Sequence, residues 1–189
     1  IPLSVYEQVA AAFQQGKVAE AEQALREALK DHPRETRALG LMGVILDAQK
    51  RYDEAERYYK QAIRLAAPSA SLLNNLGNHY LAQGDQERAH TIYLKVVAIE
   101  RAHPNANLQL ARMSVASKKG AAALRYLNRL PLQEQTSPAA KLLRAQALHL
   151  SARGSEAQAL VNEVEKQAGS DPRVAFSIGM IFVNWERYE

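Results

Sequence analysis

The sequence predicts an all-α fold in which pairs of antiparallel helices are stacked one after another. The first observation is an alanine that recurs every 34 residues. It occupies Ala21, Ala55, Ala89, Ala123 and Ala157. The second observation is a small or short side chain twelve residues before each alanine. This series reads Val9, Gly43, Gly77, Ala111 and Ala145, and Gly179 continues it. A constant period without insertions indicates one supersecondary unit that is repeated and buries its apolar face on its neighbours.

The 34-residue period divides the chain into five full frames and one partial frame. They cover residues 2–35, 36–69, 70–103, 104–137, 138–171 and 172–189. In each full frame we expect a first helix (helix A), a turn and a second helix (helix B). Positions are counted from the first residue of a frame, so the two recurring small residues stand at positions 8 and 20. We expect all frames to form a single domain over residues 1–189.

Glycine and proline mark the helix ends in the first two frames. In the first frame we expect helix A over residues 6–14 and a turn at Gly16. Helix B is expected over about residues 19–29, because Pro33 cannot continue a helix. Pro68 ends the second frame in the same way.

The third frame carries the clearest copy of the repeated pattern. It holds the pair Leu76 and Gly77, followed by Tyr80, Ala89 and Tyr93. This order of a Leu-Gly pair, an aromatic residue, an alanine and a second aromatic residue resembles the tetratricopeptide repeat (TPR), a 34-residue helix-turn-helix unit. The resemblance extends over the whole chain as about five and a half repeats.

The resemblance to TPR proteins implies a right-handed superhelical solenoid whose A helices line a concave groove. It also implies a non-enzymatic protein–protein interaction scaffold that binds a peptide or protein segment in the groove and helps to assemble a complex. Two alternatives stay open: the recognition arm of a larger enzyme, and a bacterial envelope assembly factor of secretion, pilus or polysaccharide export systems. Because the first residue is Ile1 and not methionine, we expect the sequence to be a piece of a longer protein.

The fourth frame departs most from the pattern. Ser114 and Leu127 replace its two aromatic residues, and Pro131 is expected to end helix B about one turn early. Residues 132–137 are then expected to form a loop that leads into the fifth frame.

The sixth frame stops before its helix B. It carries Ile178, Gly179, Phe182 and Tyr188 at repeat positions, and we expect Ile181, Phe182 and Trp185 to lie without their usual cover. An open apolar end of this kind is expected either to pair with another molecule or to be covered by sequence that is missing here, and self-association through the last repeat is one possibility.

The small residues at positions 8 and 20 have a packing explanation. Position 8 is expected where helix A comes closest to helix B, and position 20 where helix B faces the next helix A. We therefore interpret Gly43, Gly77 and Gly179 as packing glycines, whereas Gly16 and Gly84 are interpreted as turns.

The resemblance also indicates which side chains face the groove. The predicted peptide-binding residues are Asn74, Asn75, Asn78, Gln109, Arg112 and Gln146. Side-chain amides can hydrogen-bond the backbone of an extended peptide without reading its sequence. The alternative, which the residues support equally well, is a solvated concave face. The clamp for C-terminal carboxylates found in one subclass of the family is not expected, because only Asn78 matches its pattern.

The composition argues against an active site. The chain has no cysteine, which excludes disulfides, thiolate nucleophiles and cysteine-ligated zinc. Its five histidines form no metal-spaced pair, and no phosphate-binding glycine loop is present. We therefore expect no catalytic residue, no metal and no cofactor. No apolar run is long enough to span a bilayer, and we expect a soluble protein of the bacterial cytoplasm or periplasm.

The formal net charge of +4 arises in the second half of the chain. No acidic residue lies between Glu100 and Glu134. The basic residues of this segment are Arg101, Arg112, Lys118, Lys119, Arg125 and Arg129. They could attract RNA or an acidic surface. Helical projection scatters them, however, and only Tyr126 could stack on a base. We therefore expect a protein partner and no nucleic acid.

Overall fold

A computed structural model of the protein describes residues 1–169 and 171–186. All regular secondary structure in these residues is helical, which confirms the predicted all-α class. The twelve helices found there are α1 (Leu3–Gln14), α2 (Val18–Asp31), α3 (Thr36–Ala48), α4 (Tyr52–Leu65), α5 (Ala70–Ala82), α6 (Gln86–Ile99), α7 (Pro104–Ala116), α8 (Gly120–Leu127), α9 (Leu132–Gln135), α10 (Pro138–His149), α11 (Gly154–Ala168) and α12 (Pro172–Glu186).

The chain divides into two compact units, Ile1–Ile99 and Glu100–Glu189. The first unit contains three consecutive helix pairs, α1–α2, α3–α4 and α5–α6. The second contains the pairs α7–α8 and α10–α11, with the single-turn helix α9 between them and α12 after them. The tandem helix pairs confirm the predicted repeat architecture. The single domain that we expect over residues 1–189 stays a prediction.

The A helices begin where the 34-residue frames begin. Helices α3, α5, α7, α10 and α12 start at the first residue of their frames, and α1 starts at the second residue of its frame. Side-chain caps contribute to several of these starts, and two of the capping residues are serines. The hydroxyl oxygen of Ser69 accepts a hydrogen bond from the backbone N–H of Leu72, and that of Ser137 accepts one from Ala140. Such caps satisfy N–H groups that have no partner within the helix.

The turn between helix A and helix B has the same backbone conformation in each full frame. Its residue at position 15 has a positive φ, which is 74° at Gly16 and 79° at Gly84. The predicted turns at these two glycines are therefore confirmed. The other three frames place Lys50, Lys118 and Ala152 there, with φ of 61°, 57° and 58°. Residues with a β-carbon are strained in this conformation, whereas glycine is not.

The recurring small residues make close packing possible. The position 20 alanines, Ala21, Ala55, Ala89, Ala123 and Ala157, are completely buried. At position 8 the close neighbour is an aromatic ring of helix B. A β-carbon on Gly43 would lie 2.5 Å from the ring of Tyr59, and one on Gly77 would lie 2.6 Å from the ring of Tyr93. These glycines therefore make room for the rings that fill the core.

The interpretation of Gly179 as a packing glycine is wrong. A β-carbon on Gly179 would meet no atom of the described residues within 4 Å. The physical reason is that, in the part of the chain that the structure describes, no helix B follows α12 and brings an aromatic ring against it.

A polar cluster is buried inside the first unit, between its second and third repeats. The Tyr59 hydroxyl donates to Oδ2 of Asp47 over 2.9 Å, and Nδ1 of His79 lies 2.6 Å from Oδ1 of the same carboxylate. His79 is buried. The cluster connects α3, α4 and α5, and buried polar groups of this kind are stable only when they satisfy one another.

The fourth repeat has a shortened helix B, as Pro131 predicts. Helix α8 has 8 residues, whereas α4 and α6 have 14 each. The loop expected over residues 132–137 is partly wrong, because α9 forms one helical turn over Leu132–Gln135. Proline cannot continue α8, but its fixed φ, here −55°, suits the residue that precedes a new helix.

Helix α12 buries one face and exposes the other. Ile178 and Ile181 are buried in a core cluster with residues of α10 and α11, and Trp185 packs against it. The expectation that Ile181 and Trp185 lie without cover is therefore wrong, because α10 and α11 cover this face. The large apolar side chains that α12 does expose are Phe176, Met180, Phe182 and Val183. Tyr188 lies outside the described residues.

Candidate functional site

The A helices of the second unit line a cavity of about 440 Å³. Its walls come from α7, α10 and α12. Two of the predicted groove residues, Arg112 of α7 and Gln146 of α10, line it together. Both stand at position 9 of their repeats, so the repeated packing of A helices carries them to the same surface.

Two polar side chains of this cavity, Arg112 and Gln146, have groups that can form hydrogen bonds with a ligand. The guanidinium of Arg112 has neither an ion pair nor a hydrogen bond to any side chain that the structure describes. The side-chain amide of Gln146 has no hydrogen-bond partner among these described groups either. Arg112 is exposed and Gln146 is half-buried. One positive charge and one amide are therefore available to a ligand.

The rest of the cavity surface is largely apolar and partly aromatic. Leu142, Leu143 and Ile181 contribute to it, beside the rings of His149 and Trp185. The two rings are stacked, with centroids 4.7 Å apart and planes at 8°. Stacked rings form a rigid wall against which a peptide group or an apolar side chain can pack.

Trp185 is a candidate residue that the repeat pattern does not predict. It stands at position 14, whereas the predicted groove residues stand at positions 5, 6 and 9. The sequence nevertheless contains a signal for it. Ile178, Ile181 and Trp185 follow one another at helical spacings of three and four, which places them on one face of α12.

Asn78 stands at position 9 of the third repeat but is engaged within its own repeat. Its Oδ1 accepts a hydrogen bond of 2.6 Å from the hydroxyl of Tyr93. Tyr93 is completely buried on α6, and its ring lies against Gly77. The bond therefore joins α5 to α6, and Asn78 contributes to the packing of its repeat as well as to its exposed surface.

The first unit has a cavity of its own, also of about 440 Å³, between α3, α5 and the end of α4. Asn75 is the predicted groove residue that lines it, near Arg37, Leu41 and Ser71. Asn74 lies on the same helix but does not line this cavity.

Gln109 lines neither of the two cavities. Its Nε2 donates to Oδ1 of Asn105, 3.3 Å away and one turn earlier on α7. The structure thus unites Arg112 and Gln146 at one cavity and leaves Gln109 in a local contact.

The lining of the second unit's cavity is suited to binding a polypeptide segment. Its amide, guanidinium and apolar wall can contact the backbone and the side chains of a polypeptide segment. In the described ranges, no three His, Asp or Glu side chains converge as a metal site requires. No helix in this part of the chain is both long and apolar enough to cross a membrane.

Family models of the tetratricopeptide repeat match most of the chain. One matches residues 6–70 and 41–107, and a second matches residues 80–147. No curated protein matches the chain significantly in sequence.

Several solved structures share the fold. A tetratricopeptide repeat protein from Parabacteroides merdae has a TM-score of 0.78 and 17% identity, over 95% of this chain and 72% of its own. The structure of pilF from Pseudomonas aeruginosa has a TM-score of 0.76 and 20% identity, over 97% of this chain and 85% of its own. YrrB, a TPR protein with an unusual peptide-binding site, has a TM-score of 0.68 and 14% identity, over 89% of this chain and 86% of its own. At these identities the likeness concerns the fold alone. Together with the family models and the tandem helix pairs, it shows that the chain belongs to the tetratricopeptide repeat family.

Proposed function

We propose that the chain is a non-enzymatic protein–protein interaction scaffold that binds a peptide or protein segment on the A-helix side. The TPR fold is that of protein interaction scaffolds. The observation that carries the proposal is the cavity of the second unit, where Arg112 and Gln146 meet an apolar and aromatic wall. Among the predicted groove residues, these two are the ones that share a cavity and have available polar groups.

The chemistry of this cavity favours an extended segment with an acidic side chain. Gln146 can exchange hydrogen bonds with a peptide backbone, and Arg112 can pair with a carboxylate. The stacked rings of His149 and Trp185 can support an apolar residue of the same segment. The peptide-binding site of YrrB supports this mode of use for the fold.

A pull-down with matched variants tests this function. The bait is the chain itself, in a lysate of the organism from which it comes. Arg112→Ala combined with Gln146→Ala removes the two polar groups of the cavity. The matched control combines Arg125→Ala on α8 with Gln158→Ala on α11, which removes the same groups away from the cavity.

We expect a partner that is retained by the parent and the control and is lost by the cavity variant. Circular dichroism of all three proteins verifies that they are folded. Equal retention by the three baits would contradict the assignment of the cavity.

The same surface would bind the partner under either of the two alternative functions. As the recognition arm of a larger enzyme, or as part of a bacterial envelope assembly factor, the chain would still bind its partner through the A helices. The identity of the captured protein distinguishes these settings from a free scaffold.

Nucleic acid is the less favoured partner. Arg112, Lys118 and Arg125 belong to α7, to the following turn and to α8 respectively. Tyr126 is covered by Arg129, whose guanidinium lies 5.4 Å from the ring centroid. A ring in this position is less accessible for stacking on a base.

We also infer that a second copy of the chain packs on the exposed face of α12. Phe176, Met180 and Val183 lie at spacings of four and three and form one apolar stripe. Phe182 is also exposed on α12, and the other large exposed apolar side chains of the described residues are spread over α1, α6 and α9. A stripe on one helix can pair with the same stripe of another copy across a two-fold axis.

A further inference from the structure

Position 7 of the A helices holds a core residue in every repeat from the second to the sixth except the fifth. In four of these repeats the residue is apolar and buried, as Met42, Leu76, Leu110 and Ile178. In the fifth repeat the same position holds Arg144, which is half-buried. Arg144 therefore places a positive charge at a position where the other four repeats pack an apolar side chain.

The shortened helix B of the fourth repeat explains how Arg144 fits. Helix α8 ends at Leu127, and the chain between α8 and α10 carries two neutral partners for the guanidinium. Nη1 donates to Oδ1 of Asn128 over 2.6 Å, and Nη2 donates to Oε1 of Gln135 over 3.4 Å. The second contact is long for a hydrogen bond, so the amides bind the guanidinium only in part.

The charge of Arg144 is not neutralised within the residues that the structure describes. No carboxylate oxygen among them lies within 4.0 Å of its guanidinium. Burial lowers the pKa of Arg144, which means that its surroundings disfavour the charged form. Because an arginine side chain stays protonated in proteins, a carboxylate placed beside this half-buried charge would be favoured.

Arg144 and Asn128 line a cavity of about 590 Å³ between α8, α10 and α11. Leu124, Leu148 and Leu160 provide its apolar part. This cavity lies on the other side of α10 from the one that contains Gln146, because residues 144 and 146 are about 200° apart around a helix. It is therefore a separate surface.

The two carboxylates at this cavity are already paired with other cations. Glu156 accepts from Arg153 over 2.6 Å, and Glu163 accepts from Lys141 over 2.8 Å. They leave Arg144 unpaired, and they also disfavour a ligand of high negative charge such as phosphate. A singly charged carboxylate fits this combination best.

We propose that the cavity between α8, α10 and α11 binds an aspartate or glutamate side chain of a partner protein through Arg144. The planar guanidinium can donate two parallel hydrogen bonds to one carboxylate, and the leucines can contact the methylene groups of the same side chain. The site is independent of the A-helix cavity and gives the scaffold a second contact surface.

Titration with short peptides tests the proposal. The probes are a capped tetraglutamate peptide, its tetraglutamine counterpart and inorganic phosphate, followed through chemical shifts of the ¹⁵N-labelled chain at constant ionic strength. The variants are Arg144→Met, which restores the residue type of Met42, and Arg144→Lys, which keeps the charge without the planar fork. Arg57→Met is the control, because it removes an exposed arginine from α4 of the first unit.

We expect the tetraglutamate peptide to shift signals of α8, α10 and α11 in the parent and in Arg57→Met. Its affinity should fall at least tenfold in Arg144→Met and at least threefold in Arg144→Lys, and the tetraglutamine peptide should not bind. The proposal is overturned if Arg144→Met and the parent bind equally, if the parent does not bind tetraglutamate, or if phosphate alone binds. Should Arg144→Met fail to fold, Arg144→Lys decides between these outcomes.

Discussion

Replacing the glycine at position 8 by alanine is expected to change stability in opposite directions in two repeats. Alanine is favoured over glycine in a helix by about 1 kcal/mol. At Gly43, however, the added methyl group would lie 2.5 Å from the ring of Tyr59, a completely buried residue whose hydroxyl donates a hydrogen bond to Asp47. We expect Gly43→Ala to lower the free energy of unfolding by about 1–3 kcal/mol, because overpacking outweighs helix propensity. Urea denaturation followed by circular dichroism measures this change.

Gly179→Ala is the matched control. Its methyl group meets nothing within 4 Å in the described residues, so we expect stability to rise by as much as about 1 kcal/mol. A stability for Gly43→Ala equal to or above that of the parent would contradict the close approach of glycine and ring.

The turn residue at position 15 offers a stabilising substitution. Ala152 has a φ of 58°, which is strained for a residue with a β-carbon. We expect Ala152→Gly to raise the free energy of unfolding by about 0.5–1 kcal/mol, since the strain relieved exceeds the added flexibility of the unfolded chain. The same substitution within α8, Ala122→Gly, should lower it by about 1 kcal/mol. Denaturation of both variants checks the pair, and a loss of stability in Ala152→Gly would refute the argument.

The sequence predicts the roles of some single residues and misses those of others. The period identifies Gly43 and Gly77 as packing residues, because a small residue recurs in register. It cannot predict that Gly179 has no neighbour, since that depends on which helix follows α12. The contact between Asp47 and the buried His79 is not predicted either, because polar residues at these positions resemble solvated helix residues until the next repeat packs on them.

At the scale of elements, a charged cluster joins α2 to the start of α4 in the first unit. Glu22 is nearly buried and accepts hydrogen bonds from Gln49 and Arg51, with Arg26 also paired to it. Burial by itself would raise the pKa of Glu22. The hydrogen bonds from Gln49 and Arg51 and the charges of Arg26 and Arg51 outweigh it, so this pKa lies below its ordinary value of 4.5.

This lowered pKa predicts how stability depends on pH. A carboxylate with a depressed folded-state pKa stabilises the fold above its unfolded pKa, and the contribution is lost as the pH falls through the folded value. We therefore expect the melting temperature of the parent to fall below about pH 4.5 more steeply than that of Glu22→Gln. Glu20→Gln, which changes an exposed carboxylate on the same helix, should follow the parent. Identical pH profiles for the parent and Glu22→Gln would contradict the role of the cluster.

Helix boundaries are predicted well where proline or glycine sets them. Pro131 correctly predicts that α8 is short, because proline cannot occupy a helix interior. The single turn of α9 is missed, since four residues are too few to show an apolar period. Arg144 is missed as a site for a related reason, because its partners Asn128 and Gln135 belong to this irregular stretch.

At the scale of the whole molecule, the 34-residue period predicts the tandem helix pairs. Periodicity predicts a supersecondary unit that is repeated and packs on its neighbours. It does not predict the division into two compact units at Ile99, because no insertion interrupts the period at that point.

Self-association is a property of the whole molecule that the apolar stripe of α12 predicts. We expect the parent to form a dimer in sedimentation experiments at micromolar concentration, since burial of Phe176, Met180 and Val183 favours pairing. Met180→Glu should shift the equilibrium to the monomer, because pairing would bury a charge. Leu132→Glu on α9 is the control and should leave the dimer intact. A monomeric parent at all concentrations would contradict this inference.

Site-specific photocrosslinking tests whether a partner binds at the A-helix cavity of the second unit. A photoreactive amino acid replaces Ser177, an exposed residue that lines this cavity, and in a second protein it replaces Ser155, an exposed residue of α11 away from it. The account predicts that Ser177 crosslinks the partner found by pull-down and that Ser155 does not. Crosslinks from Ser155 alone, or equal crosslinks from both positions, would contradict it.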